Sequence, residues 1–191
     1  MNARTLLAGV AGGVVLFVWG AVSHMLLDLG SVGVKVMANE DAVLTVMREN
    51  IPAPGFYLYP GEGMESGSPT PEQAQRWEAK YRQGPTGILV YQPQGRTPFD
   101  PSMFLIELGS NIGAALVAAF LLGAATSLTG FGARVLAVTV LGLFSWLDIS
   151  VSYWNWYGFP TDYSLGLLLQ GVIGWALVGA VLALIIKPRA A

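Results

Sequence analysis

Four apolar stretches, separated by short polar links, make up most of this chain, and one longer and far more polar segment parts the first of them from the other three. A helix crossing the hydrocarbon core of a bilayer needs about 20 predominantly apolar residues. The runs at 5–29, 103–128, 134–156 and 163–186 meet that length and are predicted to be membrane-spanning helices. The second and third runs are joined by the tight sequence TGFG at 129–132. The third and fourth are joined by YGFPTD at 157–162, where Gly158 and Pro160 break a continuous helix. Runs two to four are therefore expected as an antiparallel series. Ala21-Val22-Ser23 ahead of His24 also has the form of a signal-peptide cleavage site. However, the apolar run continues through Met25, Leu26 and Leu27, beyond the roughly 7–15 residues of a signal core, so a retained first helix is predicted.

The segment at 31–102 holds six of the ten basic residues, eight of the twelve acidic ones and most of the prolines. Within it NEDAVLTVMREN reads as a short helix capped by Asn39, and GFYLYPG and GILVYQPQG read as strands bounded by glycine and proline. SPTPEQAQRWEAKYRQG reads as a second helix: Thr70 is its cap, Pro71 its first residue, Gln73 completes a capping box, and Gly84 stops it. The glycines of GEGMESGSPTP predict a flexible loop and not a phosphate cradle, because no Gly-Lys-Ser/Thr follows. The predicted fold is thus a membrane all-α protein, a four-transmembrane-helix bundle with a small α+β extracytoplasmic domain between helices 1 and 2.

Composition strengthens that class. The chain is 53% hydrophobic and only 12% charged, against about 25% charged in ordinary soluble domains. Its net charge of −2 and scattered basic residues argue against nucleic-acid binding. The absence of cysteine excludes disulfides, thiol redox chemistry and thiolate metal sites. Orientation follows from the short flanks: Arg4, Arg134, Lys187 and Arg189 fall on one side, whereas the link at 157–162 has Asp162 and no Lys or Arg. Both termini are predicted to be cytoplasmic and 31–102 periplasmic or extracellular. Tyr153, Trp154, Trp156, Tyr157, Phe159 and Tyr163 would form an interfacial aromatic belt at the opposite face.

Polar groups inside apolar runs are costly, so their placement carries information. At about 100° per residue, His24 and Asp28 share an arc of the first run with Gly9, Gly13 and Gly20, while Glu107, Ser110 and Asn111 share one on the second. Asp148 falls with Ser145, Ser152 and Asn155, and Gln170 lies between Gly166 and Gly174. The other halves of the runs are Gly, Ala, Val and Leu, with Thr126 and Thr139 as interruptions. This pattern predicts a pocket that opens outward, ends blind, and is lined by His24, Asp28, Glu107, Asn111, Asp148 and Gln170. Asp148, the deepest carboxylate, is expected to face the interior and to contact at least one of His24, Asn111 and Gln170.

Three chemistries compete for that pocket. The polar groups can serve only as interhelical hydrogen-bonding glue. His24, Asp28, Glu107 and Asp148 are the types that would hold a divalent metal, although the paired Glu-x-x-His motif of di-iron bundles is absent, with Ala21 standing three before the only histidine. A proton pathway would use the same groups, but no polar residues continue it inward. Ser110 and Ser145 lack a Gly-x-Ser-x-Gly setting, and no catalytic residue is assigned. The sequence therefore points to an accessory, assembly or binding component of a membrane complex, residing in a bacterial inner membrane. Its expected contacts are lipid and a protein partner or second copy, with no cofactor predicted. A membrane-embedded metal-dependent enzyme is the alternative, and an ion-coupled transport component the second.

The topology has a direct check, because the chain has no native thiol. Single cysteines at Ser68 and Thr129 should label with an impermeant thiol reagent from opposite membrane faces. Labelling of both from one face would refute the orientation.

Overall fold

The computed structural model describes residues 2–63 and 67–188. Arg189, counted above among the basic flanks, and Met64–Ser66 of the glycine-rich loop lie outside them. The chain divides into two compact units, one formed by Met1–Val34 with Phe99–Ala191 and the other by Lys35–Pro98.

The first unit contains four helical rods, each long and apolar enough to cross a membrane, as an integral membrane protein requires. They are α1 (Ala3–Met25), α4 (Pro101–Ala124), a rod of 27 residues from Phe131 to Tyr157, and α7 (Thr161–Ile185). The third rod is not uniform. It runs as α5 (Phe131–Ser145), makes one π-helical turn over Trp146–Ser150, and resumes as α6 (Val151–Tyr157). Local chemistry sets the ends. Asn2 caps α1 by accepting from the Thr5 N–H at 2.9 Å, and Asp100 caps α4 ahead of Pro101. Gly158, in the left-handed conformation at φ 70°, ends α6.

The rods pack in the spatial order α4, α1, α7, α5; α4 and α5, although consecutive, touch at only a few points. Small residues set the close contacts. A methyl group at Gly142 of α5 would sit 2.6 Å from the Gly171 carbonyl oxygen of α7, and one at Gly13 of α1 would collide with the Ile112 backbone of α4. Ala8, Ala115, Ala118, Ala119, Leu122, Val138, Val178, Leu182 and Ile186 form the buried core. That core occupies the half of the rods near the 125–130 link. At the same end Arg134 is only 2% exposed; its guanidinium donates to the Leu128 carbonyl at 3.0 Å and to the Ile186 carbonyl at 2.8 Å. Its Nε finds no partner among the described residues. Arg134, read from sequence as one of the basic flanks, is a buried clamp. The Ile186 carbonyl at the carboxyl end of α7, which carries partial negative charge, and the Leu128 carbonyl in the link after α4 compensate it.

The second unit contains α2 (Glu40–Asn50), β1 (Gly55–Tyr59), α3 (Pro71–Gln83) and β2 (Gly87–Tyr91). The strands pair antiparallel, with Phe56 opposite Val90 and Leu58 opposite Ile88. The capping box of α3 is present: the Thr70 N–H donates to Gln73 Oε1 at 2.8 Å, and the Gln73 N–H donates to Thr70 Oγ1 at 3.3 Å. Asn39 stands at the start of α2 without a side-chain capping bond. The Trp77 and Tyr81 rings stand 4.9 Å apart, one turn from each other on α3; Trp77 is half-buried and donates to the Pro60 carbonyl, while Tyr81 remains 47% exposed. Tyr91 is the only buried side chain of this unit among the described residues. A two-stranded ribbon without a deep core gains little from apolar burial, so polar links carry much of its order.

One such link is Glu62, whose carboxylate accepts from Arg76 Nε at 2.6 Å and from Lys80 Nζ at 2.9 Å. Arg76 first and Lys80 second hold the Glu62 carboxyl below its usual value of 4.5. A carboxylate with a depressed pKa contributes stability that is present above the unfolded value and lost as pH falls through the folded one. The tie between the Pro60–Gly63 turn and α3 should therefore hold at neutral pH and loosen only below pH 4.5. Carboxyl-carbon NMR of the full chain in micelles should place the Glu62 midpoint below that value and move it up in Arg76→Ala. An unmoved midpoint in that variant would show that the ion pair is not formed.

Candidate functional site

A groove of about 260 Å³ lies at the end of the first unit opposite the Arg134 clamp, and all four rods contribute to it. Leu16, Trp19 and Gly20 come from α1, Glu107 and Asn111 from α4, Gly142, Ser145, Trp146 and Ser150 from the third rod, and Leu167, Gln170, Gly171 and Trp175 from α7. It exists because α1 and α7 stay in contact along this end while α4 and α5 hardly meet. The groove thus lies on the side of the row where α4 and α5 stay apart.

Two indoles brace its walls. Trp19 Nε1 donates to the Gln170 carbonyl at 2.9 Å, tying α1 to α7, and Trp146 Nε1 donates to the Ser164 carbonyl at 2.7 Å, tying the π turn to α7. On α4, Asn111 Nδ2 donates to Glu107 Oε1 at 3.2 Å across one helical turn. The groove has a single carboxylate, Glu107, and neither Lys nor Arg lines it.

The residues singled out from sequence separate into three groups. Glu107, Asn111 and Gln170 line the groove. His24 stands behind it, joined through Gln170: its Nδ1 lies 3.2 Å from the Gln170 amide, 2.9 Å from the Gly20 carbonyl and 3.3 Å from Ser23 Oγ. The Gly20 carbonyl can only accept, so the neutral ring is best satisfied with its proton on Nδ1 and the Gln170 amide oxygen turned towards it. Gly30 closes over the other edge of the ring, where a side chain would strike Cδ2.

Asp28 and Asp148 form the third group, outside the groove. Asp28 is not on the helix as the sequence suggested. The carboxyl end of α1 unwinds, with the Leu26 and Leu27 N–H groups sharing the Val22 carbonyl and the Leu29 N–H reaching Ser23. Asp28 sits in the left-handed region at φ 52°, a conformation that Asp tolerates better than most residues. Its backbone carbonyl, not its carboxylate, accepts from Ser31. Asp148 was expected to face the interior but is exposed, and its carboxylate bonds to none of His24, Asn111 and Gln170. The reason is rotational. The packed stripe of the third rod is Arg134, Val138, Gly142, Trp146 and Ser150, and Asp148 stands two residues, about 200°, from Trp146. At the same rotation per residue Ser150 stands about 40° from Trp146 and Ser152 about 120° away, so Ser150 rather than Ser152 meets the groove.

The metal set His24, Asp28, Glu107 and Asp148 is consequently not assembled. Among the described residues no group of three or more His, Asp or Glu side chains is placed to hold a metal ion. The sequence reading also missed Trp19, Trp146 and Trp175. Each is an amphipathic indole within an otherwise aliphatic run, a signal that could have been used. The chain matches no protein-family model, no curated protein and no solved structure.

Gln170 and Asp148 should thus respond differently to replacement. Gln170→Leu cuts the tie between α7 and His24 and should cost about 0.6–2 kcal/mol of stability. Asp148→Leu, on an exposed face without a partner, should stay within about 0.5 kcal/mol. Thermal unfolding of the purified protein in one detergent compares them; a larger loss for Asp148→Leu would contradict this placement.

Proposed function

We propose that this chain is an integral membrane protein that binds the polar end of a small amphiphile in the groove between α4 and α5. It would sit in a bacterial inner membrane with both termini cytoplasmic and 31–102 outside. Among accessory, assembly and binding roles, binding is favoured by one observation: all four rods converge on a cavity whose lining mixes Glu107, Asn111, Gln170, Ser145 and Ser150 with Leu16, Leu167 and three tryptophans. A few convergent polar groups in an otherwise apolar concavity are what an amphiphile's headgroup and first methylenes require. The volume of about 260 Å³ suits a headgroup better than a whole drug-sized molecule, and the gap between α4 and α5 leaves the tail a way into lipid. Metal-dependent catalysis has no such support, because its proposed ligands do not come together.

Gly20 offers a clean test. A Cβ added there meets no atom within 4 Å and Gly20 lines the groove, so Gly20→Phe should place its ring in the groove. Gly113→Phe, equally unobstructed but on α4 away from the groove, is the control. Native mass spectrometry of the protein extracted from a bacterial host should show a one-to-one amphiphile adduct that survives Gly113→Phe and disappears in Gly20→Phe. The same adduct in both variants, or none in the unaltered protein, would dismiss the reading.

A further inference from the structure

The charge and aromatic inventory of the groove narrows the chemistry of its ligand, on the reading that an amphiphile binds there. We propose that the polar end of that ligand is an ammonium cation, held by the Glu107 carboxylate and by the rings of Trp19, Trp146 and Trp175.

Charge is the first argument. Among the described residues Glu107 is the one ionisable side chain of the lining, and no Lys or Arg accompanies it. His24 is not available as a counter-charge inside the groove: it lies behind Gln170, with Nδ1 engaged by the Gly20 carbonyl and the Gln170 amide. Once an amphiphile displaces water and its tail closes the gap towards lipid, the carboxylate stands in a medium of low polarity, where an uncompensated charge is costly. A phosphate, sulfate or carboxylate headgroup would add a like charge beside it. An uncharged headgroup would leave it without compensation. A cation removes the cost and is drawn in by the same charge.

The indoles supply the second argument. Trp19 and Trp146 have spent their only hydrogen-bond donors on the Gln170 and Ser164 carbonyls. What those two bring to the lining is therefore ring surface, not polar hydrogen, and Trp175 adds a third ring. Aromatic surface next to a carboxylate is the combination that recognises alkylated ammonium groups, because the ring quadrupole attracts a cation whose methyl groups leave it weakly hydrated. Those two bonds also fix the rings against α7 before any ligand arrives, which lowers the entropy lost on binding.

The remaining polar groups fit the same ligand. Asn111 already donates to Glu107, leaving the second carboxylate oxygen for the cation. Ser145 and Ser150 stand on the facing wall as neutral partners for atoms next to the nitrogen.

The experiment uses the full chain in neutral maltoside micelles and follows quenching of tryptophan fluorescence by dodecyl amphiphiles brominated next to the headgroup. The probes are a trimethylammonium, a sulfate and a maltoside, with tetramethylammonium as a tail-less competitor. The ammonium amphiphile should quench saturably and bind at least about tenfold tighter than the other two. Glu107→Gln should lower its affinity about tenfold, and Glu107→Asp, which keeps the charge, should lower it less. Tetramethylammonium should compete only weakly. Sulfate or maltoside binding as tightly as the ammonium, or an unchanged affinity in Glu107→Gln, would overturn the cation assignment while leaving the groove an amphiphile site. Equal affinity for tetramethylammonium would show a free-ammonium site and overturn the amphiphile reading. Failure of all three amphiphiles to quench saturably in the unaltered protein would remove both proposals.

Discussion

The close approach of α7 to both α1 and α5 is the contact on which the rest of the first unit depends. Helix backbones separated only by glycine and alanine gain dispersion contacts that bulky side chains would prevent. Gly142 against Gly171, Gly179 against Val135, and Gly12 against Val178 draw α7 between its two neighbours. Gly9 and Gly13 do the same for α1 and α4. Three pairwise contacts of this kind arrange four rods in an open row, and nothing of comparable strength draws α4 to α5.

The two ends of that row resolve the open side differently. At the Arg134 end, alanines and one buried guanidinium fill the space, and the Leu128 carbonyl of the link after α4 and the Ile186 carbonyl at the end of α7 supply the negative partial charge that a buried cation needs. At the other end the side chains are longer and more polar, the π turn widens the third rod, and two tryptophans are turned aside to bond α7. A π turn within a long helix re-aims the residues that follow it and often marks a site of function. Here it lies beside the groove, with Trp146 and Ser150 in the lining and Asp148 on the exposed side. Function is accordingly sought where packing is least complete.

The second unit follows other rules. Its helices and ribbon bury little, and the bonds that shape it are local: the capping box at Thr70, the Trp77 bond to Pro60, and the Glu62 clamp on Arg76 and Lys80. Each joins residues less than twenty apart in the chain. Local chemistry of this kind is readable from sequence, and the capping box and the helix stop at Gly84 are examples.

For the apolar rods the sequence by itself determined number and approximate length, because hydropathy over about 20 residues and the helix-breaking action of Gly158 and Pro160 are properties of the chain alone. It also determined which polar residues the rods carry, and so which chemistries were open to them. It did not determine facing. Rods that are apolar on every side have no polar stripe to mark an outer surface, so a period of 3.6 cannot say which arc turns inward. Glu107, Asn111 and Gln170 reached one groove and Asp148 did not because the glycine contacts rotate each helix to its closest approach, which turns the Gly142–Trp146 face of the third rod inward and leaves Asp148, about 200° from Trp146, outside. Asp28 left the site for a related reason: the carboxyl end of α1 unwinds into a turn that packs over the start of α7, with Leu29 and Val32 against Gly166. Those are contacts between segments far apart in the chain, and only the tertiary structure could decide them.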